Sequence, residues 1–472
     1  MNNSWESLLP PIITIGAAIY SKKIIPSLLI GLFVGCYILN PTLTGGIASA
    51  VDQIVKTLTD KDSLQVLLFL YLFSGLIALI KKSGGITAFS DIVEKRIKNK
   101  RGVFYILWAL IPVTFIDCGF RVVGAGSITR SLAEKYKIAH ERLAFMLNNT
   151  ASPVVELIPI ATTFVGFNVA IISQGLKSAG IAEKNSAYAI WLKAIPFEFF
   201  SIAIITITFL SIFFQFKQTK GKQESSTGPK SNDKMNMNMD DNKTIIKPRI
   251  VNLVIPLLSV ISLSVFFFWL FGNDKSASST FISAITNTDP NRAMLVALFF
   301  SLIISAVLYF FQKYDLKKMT ADIISGGNEI VTTLVILTIA WSLSGVSHSL
   351  GLNDFIHNTL GSSIPSWSIP VLLYIISSAV TYFIGSGWGA ASLIMPFAIP
   401  LAVSAGVGIP ICIAAVLTGG TFGDVTSPVA GMTNMSSNIA HADHTKYLQY
   451  ARPYNFLAAG LAMILFLLVG IT

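Results

Sequence analysis

The feature that most constrains this chain is a series of long apolar segments separated by polar connections. The uninterrupted segments cover residues 8–20, 24–39, 64–80, 187–216, 251–271, 294–311, 329–346 and 456–471. A helix needs about 20 apolar residues to cross a hydrocarbon core of roughly 30 Å, and a soluble globule cannot bury so many such segments. Composition agrees, because 53% of the residues are hydrophobic and only 12% are charged. The sequence therefore predicts an all-α polytopic membrane protein of about ten transmembrane helices.

The polar stretches of the chain are too short for an aqueous catalytic domain. The longest, residues 217–249, carries eight Lys or Arg and four acidic residues among Ser, Asn, Gln and Met, which predicts a flexible, solvated linker. The Gly-x-Gly-Asp pattern of intramembrane aspartyl proteases, HExxH and Gly-x-Ser-x-Gly are missing from the sequence. We therefore expect no enzymatic activity and no cofactor.

Positively charged residues mark one side of the membrane. They cluster at residues 22–23, 81–101, 130–142, 217–249 and 313–318. The next Lys or Arg after Lys318 is Lys446. Because cytoplasmic loops hold the excess of Lys and Arg, these clusters, including the linker, are predicted to face the cytoplasm, with the N-terminus outside. The net charge of +10 then needs no nucleic-acid partner and favours a multi-pass protein of the cell membrane.

Two pairs of shorter apolar arms surround polar, glycine-containing tips. The first pair covers residues 103–132 with Asp117 at its tip, and the second covers residues 369–402 with its tip at 385–389. Such pairs are typical of re-entrant hairpins, which lie in the membrane where they line a polar cavity. The charge pattern predicts that the two hairpins insert from opposite faces.

Three sequence echoes recur in the same order in the two halves of the chain. They pair residues 85–89 with 351–355, 124–127 with 389–392 and 151–154 with 426–429. Close helix packing favours the same small residues, but it does not explain their shared order. We predict two inverted membrane repeats, residues 1–216 and 250–472, joined by a cytoplasmic linker at 217–249, with interrupted helices and a binding site near the midplane.

Four acidic residues lie inside the predicted membrane segments, where an uncompensated charge costs roughly 2.5–3.5 kcal/mol. They are Asp117 at the first tip, Glu156 and Asp424 beside Ser-Pro breaks, and Glu198. A carboxylate in such surroundings can hold either a proton or a cation, and this competition is antiport in its simplest form. We predict that Asp117 and Asp424 bind sodium and that Glu198 relays protons. A neighbouring group could instead neutralise each carboxylate, as Arg121 could do for Asp117.

Neutral polar residues surround the two predicted helix breaks. Proline removes a backbone donor and frees nearby carbonyls, which together with hydroxyls and amides suit a small hard cation. The alternative is an ordinary proline kink whose Ser or Thr satisfies the backbone again. Glycines at the second tip can expose amides to an anionic group or can be helix contact points. The predicted ligands are Asn148, Asn149, Thr150, Ser152, Pro153, Glu156, Ser386, Gly387, Thr426, Ser427, Pro428 and Asn434.

Phe115-Ile116-Asp117 with residues 130–138, then Asn149-Thr150-Ala151-Ser152-Pro153-Val154 and residues 423–428, resemble the NhaC family of sodium/proton antiporters in the ion transporter superfamily. The resemblance covers most of the chain. It implies a scaffold with a mobile transport domain that carries both hairpins, an elevator-like motion and often a dimer. The residues that match the family's site are Asp117, Thr150, Ser152, Pro153, Asp424, Ser427 and Pro428.

The chain departs from the family pattern in its acidic residues. Ile116 and Cys118 flank Asp117 where the family has an acid pair, Ala430-Gly431 stand where another acid is expected, and Glu156 replaces an apolar residue. The first hypothesis is a sodium/proton antiporter in the lipid bilayer, with sodium and protons as its transported ions. The alternative is a sodium- or proton-coupled carrier of an amino acid or carboxylate, as in the family's malate and lactate exchangers. A channel is less favoured, because opposed hairpins with titratable groups suit alternating access.

Overall fold

The computed structural model describes residues 5–94, 97, 99–160, 162–181, 187–214, 246–273, 288–360 and 364–471. Within these ranges the chain is helical and contains no strand. The linker predicted at 217–249 lies outside the described residues apart from 246–249.

Closely connected α-helices make up the described parts of both halves of the chain. Those described in residues 5–214 are α1 (Leu9–Ser21), α2 (Ile24–Leu39), α3 (Leu43–Thr59), α4 (Lys61–Lys82), α5 (Gly85–Glu94), α6 (Lys100–Ala109), α7 (Ile111–Thr114), α8 (Cys118–Lys135), α9 (His140–Asn149), α10 (Ser152–Leu157), α11 (Thr163–Ser178), α12 (Ala187–Ala194) and α13 (Phe199–Leu210). Those described in residues 246–471 are α14 (Val251–Gly272), α15 (Pro290–Phe310), α16 (Leu316–Glu329), α17 (Val331–Ser349), α18 (Leu352–Phe355), α19 (Ile369–Ile384), α20 (Gly387–Ser404), α21 (Ile409–Thr426), α22 (Gly431–Ile439) and α23 (His444–Ile471).

Eight helices in the described ranges are long and apolar enough to cross a membrane. Two further pairs qualify only when each is taken as one bent span, which gives up to ten. One pair is α2 with α3, bent by 117°, and the other joins residues 187–197 to α13 with a bend of 47°. The predicted fold class, an all-α membrane protein of about ten spans, is confirmed.

Helices α3 and α16 were not predicted from hydropathy, because only one face of each helix is apolar. In α3 the apolar face points out of the protein, and its exposed residues are Leu43, Ile47, Val51, Val55 and Leu58. The polar face of α3 packs inward, where the hydroxyls of Thr57 and Ser342 lie 2.9 Å apart. Helix α16 packs on α4, and Ser74 donates a 2.7 Å hydrogen bond to the carbonyl of Gly326. Both helices bury polar groups against neighbours rather than in lipid.

The helix breaks fall where proline, glycine and polar residues predict them. Helix α9 ends at Asn149 and α10 begins at Ser152, while α21 ends at Thr426 and α22 begins at Gly431. At the second tip, Gly385 takes the left-handed conformation (φ 77°) between α19 and α20. A further break, between the end of α10 at Leu157 and the start of α11 at Thr163, was not predicted.

Helix α21, the first part of the broken crossing in the second half of the chain, packs closely against α19. A Cβ atom on Gly419 would lie 2.8 Å from the Tyr374 carbonyl oxygen, and one on Gly423 would lie 2.8 Å from the backbone of Thr381. Such distances admit no side chain, so the two helices approach closely through glycine. The end of α21 is therefore placed against the second tip, next to Gly387.

Candidate functional site

Two carboxylates on broken helices line one small cavity. Asp424 lies in the last turn of α21 and Glu156 in the last turn of α10. The cavity measures about 20 Å³, enough for about one water molecule or small ion. Its lining residues are Ser152, Glu156, Phe164, Phe167, Asn168, Gly387, Trp388, Ala391, Leu417, Gly420, Thr421 and Asp424.

Asp424 is joined to the break in the first half of the chain. The Ser152 hydroxyl, at the first residue of α10, donates a 2.5 Å hydrogen bond to its Oδ2 atom. The negative end of the α21 dipole adds to the carboxylate charge at this position. Asp424 therefore lies where a cation or a proton is favoured.

Glu156 is more deeply buried than Asp424, with 2% of its surface exposed. Its Oε2 atom accepts hydrogen bonds from the hydroxyls of Thr421 and, at 3.2 Å, Ser201. These donors come from α21 and α13, so three helices meet at this one carboxylate. It too lies at the negative end of a helix, which adds a second centre of negative potential to the cavity.

Glu198 lies next to this pair at the bend that precedes α13. The sequence places it within the uninterrupted apolar segment 187–216, but the structure places it between the 3-10 turn Ile195–Phe197 and α13, where the axis bends by 47°. Its side chain is fully buried, and neither carboxylate oxygen has a hydrogen-bond partner among the described residues. The Glu198 carboxyl group lies close enough to that of Glu156 for the two to interact electrostatically, and Thr418 lies beside Glu198.

Asn168 of α11 lines the cavity and carries a buried amide group. Only 1% of the residue is exposed, and both its Nδ2 and Oδ1 atoms lack a partner in the described part of the chain. Burying an amide without hydrogen bonds is unfavourable by about 1–3 kcal/mol. An unsatisfied donor and acceptor beside two carboxylates is the expected geometry of a ligand site.

Aromatic rings form the wall of the cavity between the second tip and α11. The rings of Phe167 and Trp388 stack, with centroids 4.4 Å apart and planes at 14°. Phe164 meets the same indole edge-on at 5.3 Å. The wall excludes water from that side of the carboxylates, which strengthens electrostatic interactions inside the cavity.

Asp117 lies at the first tip, outside the residues that line this cavity. Its Oδ1 atom accepts a 2.9 Å hydrogen bond from the Phe120 amide at the start of α8, and its Oδ2 atom accepts one of 3.1 Å from Thr163 of α11. Cys118, the next residue, lies close enough to the carboxylates of both Asp117 and Asp424 to interact with them electrostatically. The first tip is therefore a near neighbour of the cavity.

Arg121 does not neutralise Asp117. Its buried guanidinium donates to the carbonyl and hydroxyl of Thr150, to the Thr114 hydroxyl at 2.9 Å and to the Leu107 carbonyl at 3.1 Å. No carboxylate lies within ion-pair distance of Arg121 among the described residues. The cation instead ties the first hairpin to the break that precedes α10.

A buried amide network joins the two helix breaks. Asn148 donates to the Val425 carbonyl (3.0 Å) and to the Tyr447 hydroxyl (2.6 Å). Asn149 donates to Asn455 (3.0 Å), which in turn donates to the Val425 carbonyl (3.0 Å). Carbonyls that the break leaves free are thus satisfied from the opposite half of the chain.

The sequence of this chain matches a known family. The model of the Na+/H+ antiporter family matches residues 154–471, which is more than half of the chain and includes Glu156, Asn168 and Asp424. The chain belongs to the Na+/H+ antiporter family.

Relatives of this Na+/H+ antiporter family member span different shares of it. An uncharacterized protein of Haemophilus influenzae is 25% identical over 485 residues, covering 100% of this chain and 92% of that protein. The malate-2H(+)/Na(+)-lactate antiporter of Bacillus subtilis is 29% identical over 184 residues, which is 38% of this chain and 37% of that protein. The family match and the Bacillus subtilis relative confirm the predicted resemblance to a sodium/proton antiporter family.

Two solved transporters share the fold of this family member. Neisseria gonorrhoeae MtrF, described within a class of antimetabolite efflux pumps, superposes with a TM-score of 0.61 and 14% identity over 89% of this chain and 84% of its own. The Alcanivorax borkumensis YdaH transporter gives 0.60 and 14% identity over 90% and 88%. At this identity the likeness concerns the fold alone. With the family match, it identifies the chain as a membrane transporter, and transporters are not enzymes in the catalytic sense.

Some of the predicted site residues of this antiporter family member lie together at the cavity, whereas others form hydrogen bonds with other parts of the protein. Ser152, Glu156, Gly387 and Asp424 line the cavity, and Pro153 is the second residue of α10, next to Ser152. The remaining residues make hydrogen bonds within the protein. The Ser386 hydroxyl accepts from the Gly389 amide, and the Thr426 hydroxyl accepts from Asn455. Ser427 donates to the Tyr382 carbonyl, Asn434 donates to the Ala430 carbonyl, and the Pro428 carbonyl lies 2.9 Å from the His444 ring.

Three residues with polar side chains in the cavity region were not predicted as site residues. They are Asn168, Thr421 and Ser201. Asn168 carried a signal, because it is an amide inside the apolar run of α11. Thr421 and Ser201 carried none, because single hydroxyls are common in membrane helices and become donors to Glu156 only through packing.

Proposed function

We propose that this transporter exchanges sodium for protons through Asp424 and Glu156. The observation that carries the proposal is the shared cavity, where two intramembrane carboxylates from different broken helices face a space of about one ion. Intramembrane carboxylates of this kind mark ion and proton pathways. When sodium binds, it takes the place of the proton; when protons bind, sodium leaves.

The ligands for sodium in this scheme come from the cavity walls. Asp424 and Glu156 supply charge, while Ser152, Thr421 and the Oδ1 atom of Asn168 supply neutral oxygen. Oxygen donors of both kinds suit a small hard cation. Asp117 stays in the proposal as an acid of the first tip that joins the site when the two hairpins move.

Glu198 is proposed as the proton relay. A buried carboxylate without a donor is strongly unfavourable as an anion, so Glu198 is suited to hold a proton next to Glu156. An unequal exchange of protons for sodium would draw on the membrane potential, at about 2.3 kcal/mol per charge for 100 mV.

The arrangement in the membrane is part of the proposal. Residues 1–216 and 250–472 are taken as inverted repeats, and the basic linker 217–249 faces the cytoplasm of a cell-membrane protein. The two breaks that meet at Asp424 and Ser152 come one from each repeat, as expected when a site lies at the repeat interface. A homodimer would fit the family resemblance.

A second candidate is a sodium- or proton-coupled carrier of a small organic solute. It is favoured by the amide of Asn168, which offers a donor as well as an acceptor, and by the aromatic wall of Phe164, Phe167 and Trp388. A bare cation needs neither the amide donor nor the rings. Both groups are typical of small-molecule sites.

The test is proton movement in proteoliposomes that contain the purified full chain and a pH-sensitive dye. Under the first proposal, an imposed sodium gradient drives proton flux without any other solute, and an equal potassium gradient serves as the control. Under the second candidate, flux begins only after an amino acid or carboxylate is added. Absence of flux in both conditions would refute both.

Replacing Asn168 with Leu removes both polar atoms at nearly constant volume. We expect the KM for sodium to rise about tenfold, since a neutral oxygen ligand is worth about 1–1.5 kcal/mol. The melting temperature should not fall, because the amide has no partner to lose. The exposed variant Asn438→Leu serves as the matched control, and an unchanged KM in Asn168→Leu would remove this residue from the site.

A further inference from the structure

A cavity of about 470 Å³ lies where four helix ends meet, and it shares no lining residue with the carboxylate cavity. The start of α19, the connection from α20 to α21 and the end of α23 enclose it. Its rim is exposed at Ser366, Gly406 and Gly408, and its wall is buried at Pro370 and Ile411. Helix ends leave N–H and carbonyl groups without helical partners, so this cavity suits water. We call it the helix-end cavity.

Helix α19 begins at this cavity and carries three buried hydroxyls along its length. They belong to Tyr374, Ser378 and Thr381, none of which is more than 8% exposed. None of the three oxygen atoms has a hydrogen-bond partner among the described residues. The hydroxyls of Tyr374 and Ser378 are neighbours, although their geometry falls short of a hydrogen bond. Buried hydroxyls are normally satisfied, so three on one helix require an explanation.

Other hydroxyls in the helices of this protein show the usual arrangement. On α17, Thr338 donates to the Leu334 carbonyl at 2.9 Å and Ser342 donates to the Thr338 carbonyl at 2.8 Å. Ser377, on the same helix as the three hydroxyls, donates to the Val416 carbonyl of α21 at 2.6 Å. Such bonds satisfy a Ser or Thr side chain inside a membrane helix. The three hydroxyls of α19 are therefore available to another group, and the helix-end cavity offers water.

The three hydroxyls form a line from the helix-end cavity toward Asp424. Pro370 lines the cavity, and the three hydroxyl residues follow it at intervals of four, four and three, which places them on one face of α19. At the inner end, the Thr381 side chain packs directly against Gly423, where a Cβ atom would collide with it. Gly423 precedes Asp424 in α21. Roughly 16 Å of helix separate Pro370 from Thr381.

We propose that this line of hydroxyls is the path by which protons reach Asp424 from one face of the membrane. Tyr374, Ser378 and Thr381 are the relay groups, and the helix-end cavity is the entrance. Sodium does not follow this path, because a hard cation needs several oxygen ligands at once and the line offers one at each level. The inference rests on the proposed sodium/proton exchange, and it gives the protons a route separate from that of sodium.

Hydroxyls can relay protons because each one accepts and donates at the same time. A hydronium ion in the cavity donates to the Tyr374 oxygen while the proton already on that oxygen moves to the next water or hydroxyl. Ser378 and Thr381 repeat the step, and the last proton binds the Asp424 carboxylate. Each oxygen loses one O–H bond and gains one, so one proton is delivered and the hydroxyls are unchanged. The Cβ atoms of residues three or four apart lie about 5–6 Å from each other, a gap that one water molecule spans.

The experiment compares two fluxes in proteoliposomes that contain the purified full chain. One is sodium-driven proton movement. The other is the exchange of radioactive for unlabelled sodium at equal pH, which needs sodium binding and the transport motion but no proton transfer. Tyr374→Phe, Ser378→Ala and Thr381→Val each remove one hydroxyl and change the side-chain volume little. We expect each variant to slow proton movement at least about tenfold and to leave sodium exchange at the native rate.

Ser377→Ala is the matched control, since it removes a hydroxyl of the same helix that is already bonded to a carbonyl. This control and Thr381→Ser, which keeps the hydroxyl, should both move protons at the native rate. The three test variants allow for one that fails to fold. The route is overturned if the folded variants move protons like the native chain, or if they lose sodium exchange to the same extent as proton movement. The proposed exchange survives both results, whereas a native chain that moves no protons on a sodium gradient would refute the exchange and the route together.

Discussion

Replacing Asp424 with Asn is expected to abolish sodium-driven proton flux in proteoliposomes. The substitution keeps the side-chain volume and leaves an oxygen that can accept the Ser152 hydrogen bond. It removes the charge that both a proton and a sodium ion require. A hydrogen bond or ligand contact to a charged group is worth about 1.5–3 kcal/mol, so sodium affinity should fall roughly 10- to 150-fold, and proton binding at this position is lost altogether.

Three further variants make this result specific. Asp52→Asn removes an equal charge from the exposed side of α3 and should exchange at the native rate. Ser152→Ala removes only the donor to Asp424 and should retain exchange with weaker sodium binding. Asp424→Glu keeps the charge and should preserve part of the flux. Native flux in Asp424→Asn would exclude Asp424 as the shared site for sodium and protons.

Replacing Arg121 with Lys is expected to destabilise the folded protein by about 2–4 kcal/mol. The guanidinium donates to four oxygens, on Thr150, Thr114 and Leu107, in a fully buried position. An ammonium group has three donors and cannot reproduce the planar arrangement, so at least one buried acceptor loses its partner. The measurement is the apparent melting temperature in detergent.

The control for this variant is Arg130→Lys on the same helix. Arg130 forms a partly exposed ion pair with Glu134 at 3.6 Å, and such pairs contribute about 0–1 kcal/mol. Its melting temperature should stay within a degree or so of the native value. An equal stability of Arg121→Lys and Arg130→Lys would show that the tie between the first hairpin and the break at Thr150 contributes little.

The overall fold could largely be predicted from the chain itself. Apolar length decides which segments enter a membrane, and proline, glycine and capping residues decide where helices end. These are local properties, so the breaks beside Asn149, Gly385 and Thr426 could be located without coordinates. Amphipathic helices were missed for the same reason: the apolar face of α3 is exposed while its polar face packs inside, and no local rule says which neighbour a polar face will meet.

The candidate site could be predicted only in part. Asp424 and Glu156 stood out because acids are rare in membrane segments, and Ser152 stood out because it precedes a proline that interrupts the helix. The hydrogen-bond partners of Arg121 could not be predicted from its spacing of four residues from Asp117, because a long side chain can turn toward several acceptors. Its actual partners depend on the position of the neighbouring helix α9.

The sequence by itself determined that this chain forms membrane helices, where those helices break, and which acidic residues stand within its apolar segments. Transfer free energies and backbone geometry are properties of short segments, so they are readable along the chain. Only the tertiary structure decided that Ser152 donates to Asp424 across 272 positions and Thr421 to Glu156 across 265, and that Asn168, with its amide unused, lines the same cavity as both acids. Contacts between such distant positions depend on how whole helices pack, and that packing is a property of all of them together.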